Sequence, residues 1–279
     1  MALPVQSAPA GKPATRQDAL QVLAETSRTF FIPISRLPPG LLEAVGSGYL
    51  CLRAIDEIED HPGLEPDLKE SLLRSISRAL QSAADDWSGD ELESTLNAYA
   101  GRLPEVTLRL CDWVRLAPKS IMPRVWDATA AMADRMADWV ACNWQVRTLT
   151  DLDRYTFGVA GTVGLMLSDM WSWFDGTPTD RMLAIGFGRG LQAVNILRNR
   201  ADDLSRGVDF YPCDWQEAEM QAYARRNLAA ADAYLDSLPP GPAREFCRIP
   251  LVLAHATLDA LEQGKSKLSR SEVLELVGA

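Results

Sequence analysis

Apolar residues recur at the 3.6-residue spacing of a helix face almost from one end of this chain to the other. No run alternates apolar and polar residues for long enough to make a strand. The periodic segments are about 12 to 25 residues long, and clusters of Pro and Gly separate them. These clusters are Pro33 to Gly40, Pro62 to Pro66, Pro118 to Pro123, Gly176 to Pro178, Gly207 to Pro212 and Pro239 to Pro242. There is no internal repeat and no interdomain linker. The pattern predicts a single all-α domain over residues 16–279, made of about eight helices and larger than a four-helix bundle. A first helix is expected over Thr15 to Phe30. Residues 1–15, rich in Ala and Pro and without the apolar run of a signal peptide, are expected to be a disordered tail.

Composition narrows the partners. Hydrophobic residues make up 47% of the 279, enough for a sizeable core. There are 28 basic residues against 38 acidic ones, a net charge of −10. Nucleic acid is therefore excluded as a partner, since its phosphates need concentrated Lys and Arg. The same charge would repel a small anionic substrate unless cations bridge the two. The five cysteines, Cys51, Cys111, Cys142, Cys213 and Cys247, form no CxxC pair. An odd count in a chain of this length reads as reduced thiols in a cytoplasmic protein. The longest uncharged apolar stretch, Tyr155 to Ser168, ends at Asp169 and is too short to span a bilayer.

Two helical segments carry polar stripes on otherwise apolar surfaces. In the first, Gly46 to Asp60, residues Tyr49, Arg53, Asp56 and Asp60 fall within an arc of about 60° at 100° per residue. Leu50, Cys51, Leu52, Ala54, Ile55 and Ile58 cover the rest, so the helix reads as buried. A buried unpaired carboxylate is costly. Asp56 and Asp60, at i and i+4, point the same way and can share a hard cation such as Mg²⁺. The plainer alternative is a solvated face on which Arg53 pairs with Asp56 at i+3. The second segment repeats the design: Gln192, Asn195, Asn199 and Asp203 lie at i, i+3, i+7 and i+11, with Asp202 and Arg206 close to that face. Two such stripes suggest facing walls of one pocket. Between them in the chain, Gly186, Gly188 and Gly190 do not match GxGxxG and follow no strand; they read as small residues that let helices approach closely. His61 and His255 read as a loop residue and a helix residue, not as ligands, and Cys247 as an apolar filler.

These motifs, in this order, resemble the squalene/phytoene synthase family, the head-to-head branch of the trans-isoprenyl diphosphate synthases. The resemblance runs from about Ser27 to Arg270 and rests on four further segments besides Ser27-Arg28-Thr29-Phe30. They are YLCLRAIDEIED (Tyr49 to Asp60), DRYTFGVAGTVG (Asp153 to Gly164), QAVNILRNRADD (Gln192 to Asp203) and FCRIPLVLAHATL (Phe246 to Leu258). The last looks more like squalene synthase than phytoene synthase. The resemblance implies an isoprenoid-synthase-type helical bundle around a central cavity. It implies Mg²⁺ held by Asp56, Glu59 and Asp60 from the first motif and by Asn199, Asp202 and Asp203 from the second. Arg28, Arg53 and Arg198 match diphosphate-contacting arginines, with Arg206 as a further one. Tyr49, Phe157, Gln192, Phe246, Cys247 and Pro250 are implied as the substrate pocket, and Tyr155, Tyr49 and Arg53 as catalytic, Tyr155 in proton transfer or cation steering. The chain departs from the family at Asn199, usually aspartate; at Asp202, usually Glu; at Val208, usually Arg; and at Leu251, commonly Gln in squalene synthases.

The activity so implied is condensation of two farnesyl diphosphates through presqualene diphosphate to squalene or a close relative. NADPH supplies a hydride by resemblance alone, and a peripheral contact with membrane is implied by the apolar product. Two other readings compete. One is a cyclase ionising a single prenyl diphosphate, suggested by the four-residue spacing of Asn195, Asn199 and Asp203. The other is an inactive isoprenoid-binding partner of a sister synthase, suggested by Asn199 and Val208.

Overall fold

A computed structural model describes residues 15–84, 87–265 and 267–278. The expected tail therefore lies outside the described residues except for Thr15. Fourteen α-helices and one π-helical turn are found among the described residues, and no strand. The helices are α1 (Arg16–Thr26), α2 (Arg28–Ser35), α3 (Leu41–Glu59), α4 (Pro66–Gln81), α5 (Asp90–Asn97), α6 (Glu105–Leu108) and α7 (Leu110–Leu116). They continue as α8 (Met122–Ala141), α9 (Leu149–Thr156), the π-turn (Phe157–Gly161), α10 (Thr162–Asp175), α11 (Arg181–Ser205), α12 (Glu217–Ser237), α13 (Pro242–Glu262) and α14 (Arg270–Val277). The count exceeds the eight expected because stretches between the Pro and Gly clusters divide: α4 to α7 lie between Pro62–Pro66 and Pro118–Pro123, and α9 and the π-turn lie between α8 and α10.

Local chemistry sets the ends. Thr15 and Asp18 form a reciprocal capping box that starts α1. The helix expected over Thr15 to Phe30 breaks at Ser27, whose extended backbone ends α1 and whose Oγ accepts the Phe30 N–H at 3.1 Å to start α2. Pro33, expected as punctuation, lies inside α2, and Pro250 lies inside α13. Each removes only one backbone donor, which these helices tolerate. All five cysteines are unpaired.

A buried apolar cluster draws residues from α1 through α13, and a smaller one joins Ile249, Leu253 and Val277 on α13 and α14. Helix α3 lies deep within the first: Leu50, Cys51, Ala54, Ile55 and Ile58 are fully covered. Helix α11 packs most extensively against α12 on one side and against the π-turn and α10 on the other. Glycine makes both approaches possible. A Cβ on Gly188 would lie 2.1 Å from the Ala160 carbonyl oxygen in the π-turn, and one on Gly186 would lie 2.6 Å from Ala230 Cβ on α12. The reading of these glycines as a packing seam therefore holds. No described helix is long and apolar enough to cross a membrane.

The seam yields a stability prediction. Gly188→Ala gains about 1 kcal/mol in helix propensity, but the new methyl meets backbone that cannot rotate away. Overpacking, at about 1–3 kcal/mol or more, wins. Denaturant unfolding should show a net loss of stability, whereas the same change at an open helical surface would give a gain.

Candidate active site

The two polar stripes face each other. Asp56 and Glu59 on α3, with Asp60 as its C-cap, and Gln192, Asn195, Asn199 and Asp203 on α11 line one cavity of about 140 Å³. Tyr155, Val159, Met136, Ile196, Phe210 and Arg206 complete its wall. A second cavity of about 260 Å³ adjoins it, sharing Glu59, Asp60, Arg206 and Phe210 and adding His61, Lys69, Trp144 and Val208.

The charges pair in ways that the stripes alone do not specify. Arg53 pairs with Glu57 at i+4 and not with Asp56 at i+3. Asp56, half-buried in the cavity wall, is left without an ion pair among the described residues. Arg206 joins the stripes, with Nη1 donating to Asp60 Oδ1 at 2.7 Å and Nη2 to Asp203 Oδ1 at 2.6 Å. Glu59 is buried, and its carboxylate accepts the Trp144 indole N–H. Lys69, only 8% exposed, donates to the Glu59 carbonyl at 2.6 Å and sits 5.3 Å from the Trp144 ring centroid. It thus places a cation at the C-terminal end of α3, where the helix dipole favours one. Asn143 and Trp144 are both left-handed, with φ of 51° and 48°. Such a backbone is strained for a residue as bulky as Trp, and it turns the indole onto Glu59.

Burial shapes the titration of these groups. It pushes the Asp56 carboxyl up to about 7, against the Arg53 charge and with help from Asp60 and Glu57. Burial also raises Glu59 well above the ordinary carboxylate value, with the Asp60 charge adding to it. Asp203 is raised by burial too, with Arg206 opposing. The Tyr155 phenol, 7% exposed, is raised by burial and then by the surrounding carboxylates, so it stays protonated. Its ring stacks on Phe210 at 4.4 Å and meets Trp139 edge-on at 5.4 Å.

Several expected residues lie elsewhere. Asp202 is exposed and lines neither cavity, because one residue's rotation of about 100° carries it off the face that holds Asp203. Arg198 is exposed over the second stripe, donating to Asn195 Oδ1 at 2.7 Å and Asn199 Oδ1 at 3.2 Å. Arg53, turned to Glu57, and Tyr49, packed 5.5 Å from Phe30, are not part of either wall. Phe157 lies between Arg135 and Arg189 and also lines neither cavity, whereas Val159 of the same π-turn does. Phe246, Cys247 and Pro250 are buried on α13, with Phe246 against Trp171, and do not reach the carboxylates. Arg28 opens α2, but its side chain is outside the described ones. The motifs gave no sign of Lys69, Trp144 or Phe210. Phe210 stands in the Gly207 to Pro212 cluster that marks a turn, and Lys69 occupies a helical position that reads as solvent-facing.

The squalene/phytoene synthase family model matches residues 23–221 and 217–276. The chain belongs to this family. The squalene synthase of Eremothecium gossypii is 31% identical over 91% of this chain and 63% of its own length. Those of Schizosaccharomyces pombe and Rattus norvegicus are each 28% identical, over 86% and 85% of this chain and 58% and 62% of theirs. The chain thus spans less than two thirds of the length of these relatives. A ligand complex of TcSQS superposes with a TM-score of 0.76 at 24% identity, covering 94% of this chain and 85% of that one. A dehydrosqualene synthase gives 0.67 at 18%, covering 94% of both chains. These two likenesses establish the family's helical fold.

The donor set of the family's two motifs fits a hard cation, since carboxylate and amide oxygens are the ligands Mg²⁺ takes. Among the described residues no three His, Cys, Asp or Glu side chains yet converge to hold one. Arg206 stands between Asp60 and Asp203 instead. The raised carboxyls give a testable pH dependence. A group whose folded pKa lies above its unfolded value holds a proton that the unfolded chain has lost, so stability falls as pH rises between the two. For Asp56 that window runs from the ordinary aspartate value of 3.8 to about 7. In EDTA the melting temperature should therefore fall from about pH 4 to about pH 7, and Asp56→Asn should flatten the fall. Added Mg²⁺ should raise the melting temperature more at the higher pH, where the carboxylates are free to take it.

Proposed function

We propose that this chain is a Mg²⁺-dependent prenyltransferase that condenses two farnesyl diphosphates head to head, through presqualene diphosphate, to squalene or a close relative. The single observation carrying the proposal is that Asp56, Asp60, Asn199 and Asp203, from the two motifs, stand on opposite walls of one cavity. The family, and the squalene synthases similar to this chain, supply the reaction class.

In this reading Asp56, Asp60, Asn199 and Asp203 hold the metal. Bound there, Mg²⁺ neutralises diphosphate oxygens and eases departure of pyrophosphate from the allylic carbon. Arg206 is the arginine in the cavity wall that attracts the diphosphate, with Arg198, exposed over Asn195 and Asn199, and Arg28 and Arg53 included by family resemblance. The allylic cation left behind needs a dry, electron-rich wall. Tyr155, flanked by Phe210 and Trp139, offers stacked π-faces and a phenol oxygen that keeps its proton near neutral pH. Gln192 presents a neutral amide deeper on the α11 wall. The second farnesyl diphosphate then adds through its alkene. Hydride delivery from NADPH and transient contact of the apolar product with a membrane belong to the proposal through the family alone.

Product analysis tests the reading. Purified protein with farnesyl diphosphate and Mg²⁺, assayed with and without NADPH, should yield a C30 product. A C15 hydrocarbon as the sole product would overturn the head-to-head assignment. Asp56→Asn and Asp60→Asn should each lower kcat by about 10²-fold or more, measured as pyrophosphate release.

A further inference from the structure

Helix α11 closes in a way that fixes the backbone of Arg206 and leaves its side chain free. Gly207, at φ +80°, donates its N–H to the Leu204 carbonyl, and Val208 donates to the Asp203 carbonyl, both at 3.0 Å. This is the paired closure of a Schellman motif. Arg206 is thereby held at the C-cap, one turn beyond Asp203 and opposite the end of α3. Its side chain is 41% exposed, yet its guanidinium bonds Asp60 Oδ1 at 2.7 Å and Asp203 Oδ1 at 2.6 Å. The Asp203 side chain is only 10% exposed, so the arginine is its main compensation. One planar monovalent cation thus ties together two carboxylates from facing helices.

A divalent cation shared by Asp60 and Asp203 needs the oxygens that the guanidinium now holds. It would also lie within a few ångströms of a charge that does not titrate away, since arginine stays protonated. Metal and arginine therefore exclude each other between these carboxylates. A diphosphate changes the balance, because its oxygens can accept the displaced guanidinium as well as the metal.

We propose that Arg206 is an internal counter-ion of the metal-free site: it holds Asp60 and Asp203 together, competes with the divalent cation for them, and transfers to the diphosphate when metal and diphosphate enter together. This rests on the reading of Asp60 and Asp203 as metal ligands. The consequence is cooperativity. Metal alone binds against the arginine, whereas the diphosphate removes that opposition, and by linkage the metal favours the diphosphate equally.

The test measures Mn²⁺ binding to the full chain by electron paramagnetic resonance, without substrate and then with inorganic pyrophosphate. Arg206→Gln should bind Mn²⁺ alone about tenfold more tightly than the parent protein. Arg206→Lys, which keeps the charge, should stay nearer the parent. Pyrophosphate should strengthen metal binding more in the parent than in Arg206→Gln. A variant that binds Mn²⁺ alone no more tightly than the parent overturns the proposal. If neither protein binds Mn²⁺ even with pyrophosphate, the metal-site reading itself fails. A measurement on the unmodified sequence guards against misfolding of the variant: saturating Mg²⁺ alone should speed phenylglyoxal labelling of Arg206, and pyrophosphate should reverse the effect. Labelling that ignores Mg²⁺ also counts against the proposal.

Discussion

Carboxylates brought face to face on buried helices must be neutralised, and much of the site follows from how this chain does so. Asp56, Glu59, Asp60 and Asp203 line one cavity, where their charges cannot all be solvated. Three responses are visible. Arg206 spans Asp60 and Asp203, Lys69 and the Trp144 indole secure Glu59, and burial drives the Asp56 carboxyl toward its neutral form. The second of these responses uses side chains from α4 and from the segment after α8, so the carboxylate cluster recruits structure well beyond its own helices. The strained turn at Asn143 and Trp144 is one consequence.

The opposite wall depends on packing. Gln192, Asn195, Asn199 and Asp203 lie where they do because α11 runs close to both the π-turn and α12, with Gly186 and Gly188 at the points of approach. The π-turn follows Tyr155 closely; Val159 in it lines the cavity, while Phe157 lies between two arginines. Phe157 is implied in the pocket by the family resemblance, yet it stands two residues, about 200°, from Tyr155, whereas Val159, four residues on, shares the Tyr155 face. π-turns of this kind often occur at functional sites.

Much of the architecture was legible in the chain. The helical period, the buried character of α3, the paired stripes and the glycine seam are all properties of side-chain type and spacing, and the structure bears them out. The helix boundaries were less legible. Ser27 divides what reads as one helix, and Pro33 sits inside α2, because capping and a single missing donor are settled by which neighbours are available to compensate. Within the site, Asp56, Asp60, Asn199, Asp203, Tyr155, Gln192 and Arg206 come together, while Asp202, Phe157, Phe246, Cys247 and Pro250 do not reach the same cavities.

The sequence by itself determined that two oxygen-rich faces exist, because a side chain's direction on a helix follows from its number. It also determined that they need compensation, because a buried unpaired carboxylate is costly. Only the tertiary structure decided which cations supply it. Arg53 is nearest along the chain yet turns to Glu57, while Arg206 reaches Asp60 across 146 residues of sequence. Lys69 reads as a surface residue yet is buried against Trp144. Partner choice among charges depends on distance and desolvation in three dimensions, and neither is written in the spacing of residues along one helix.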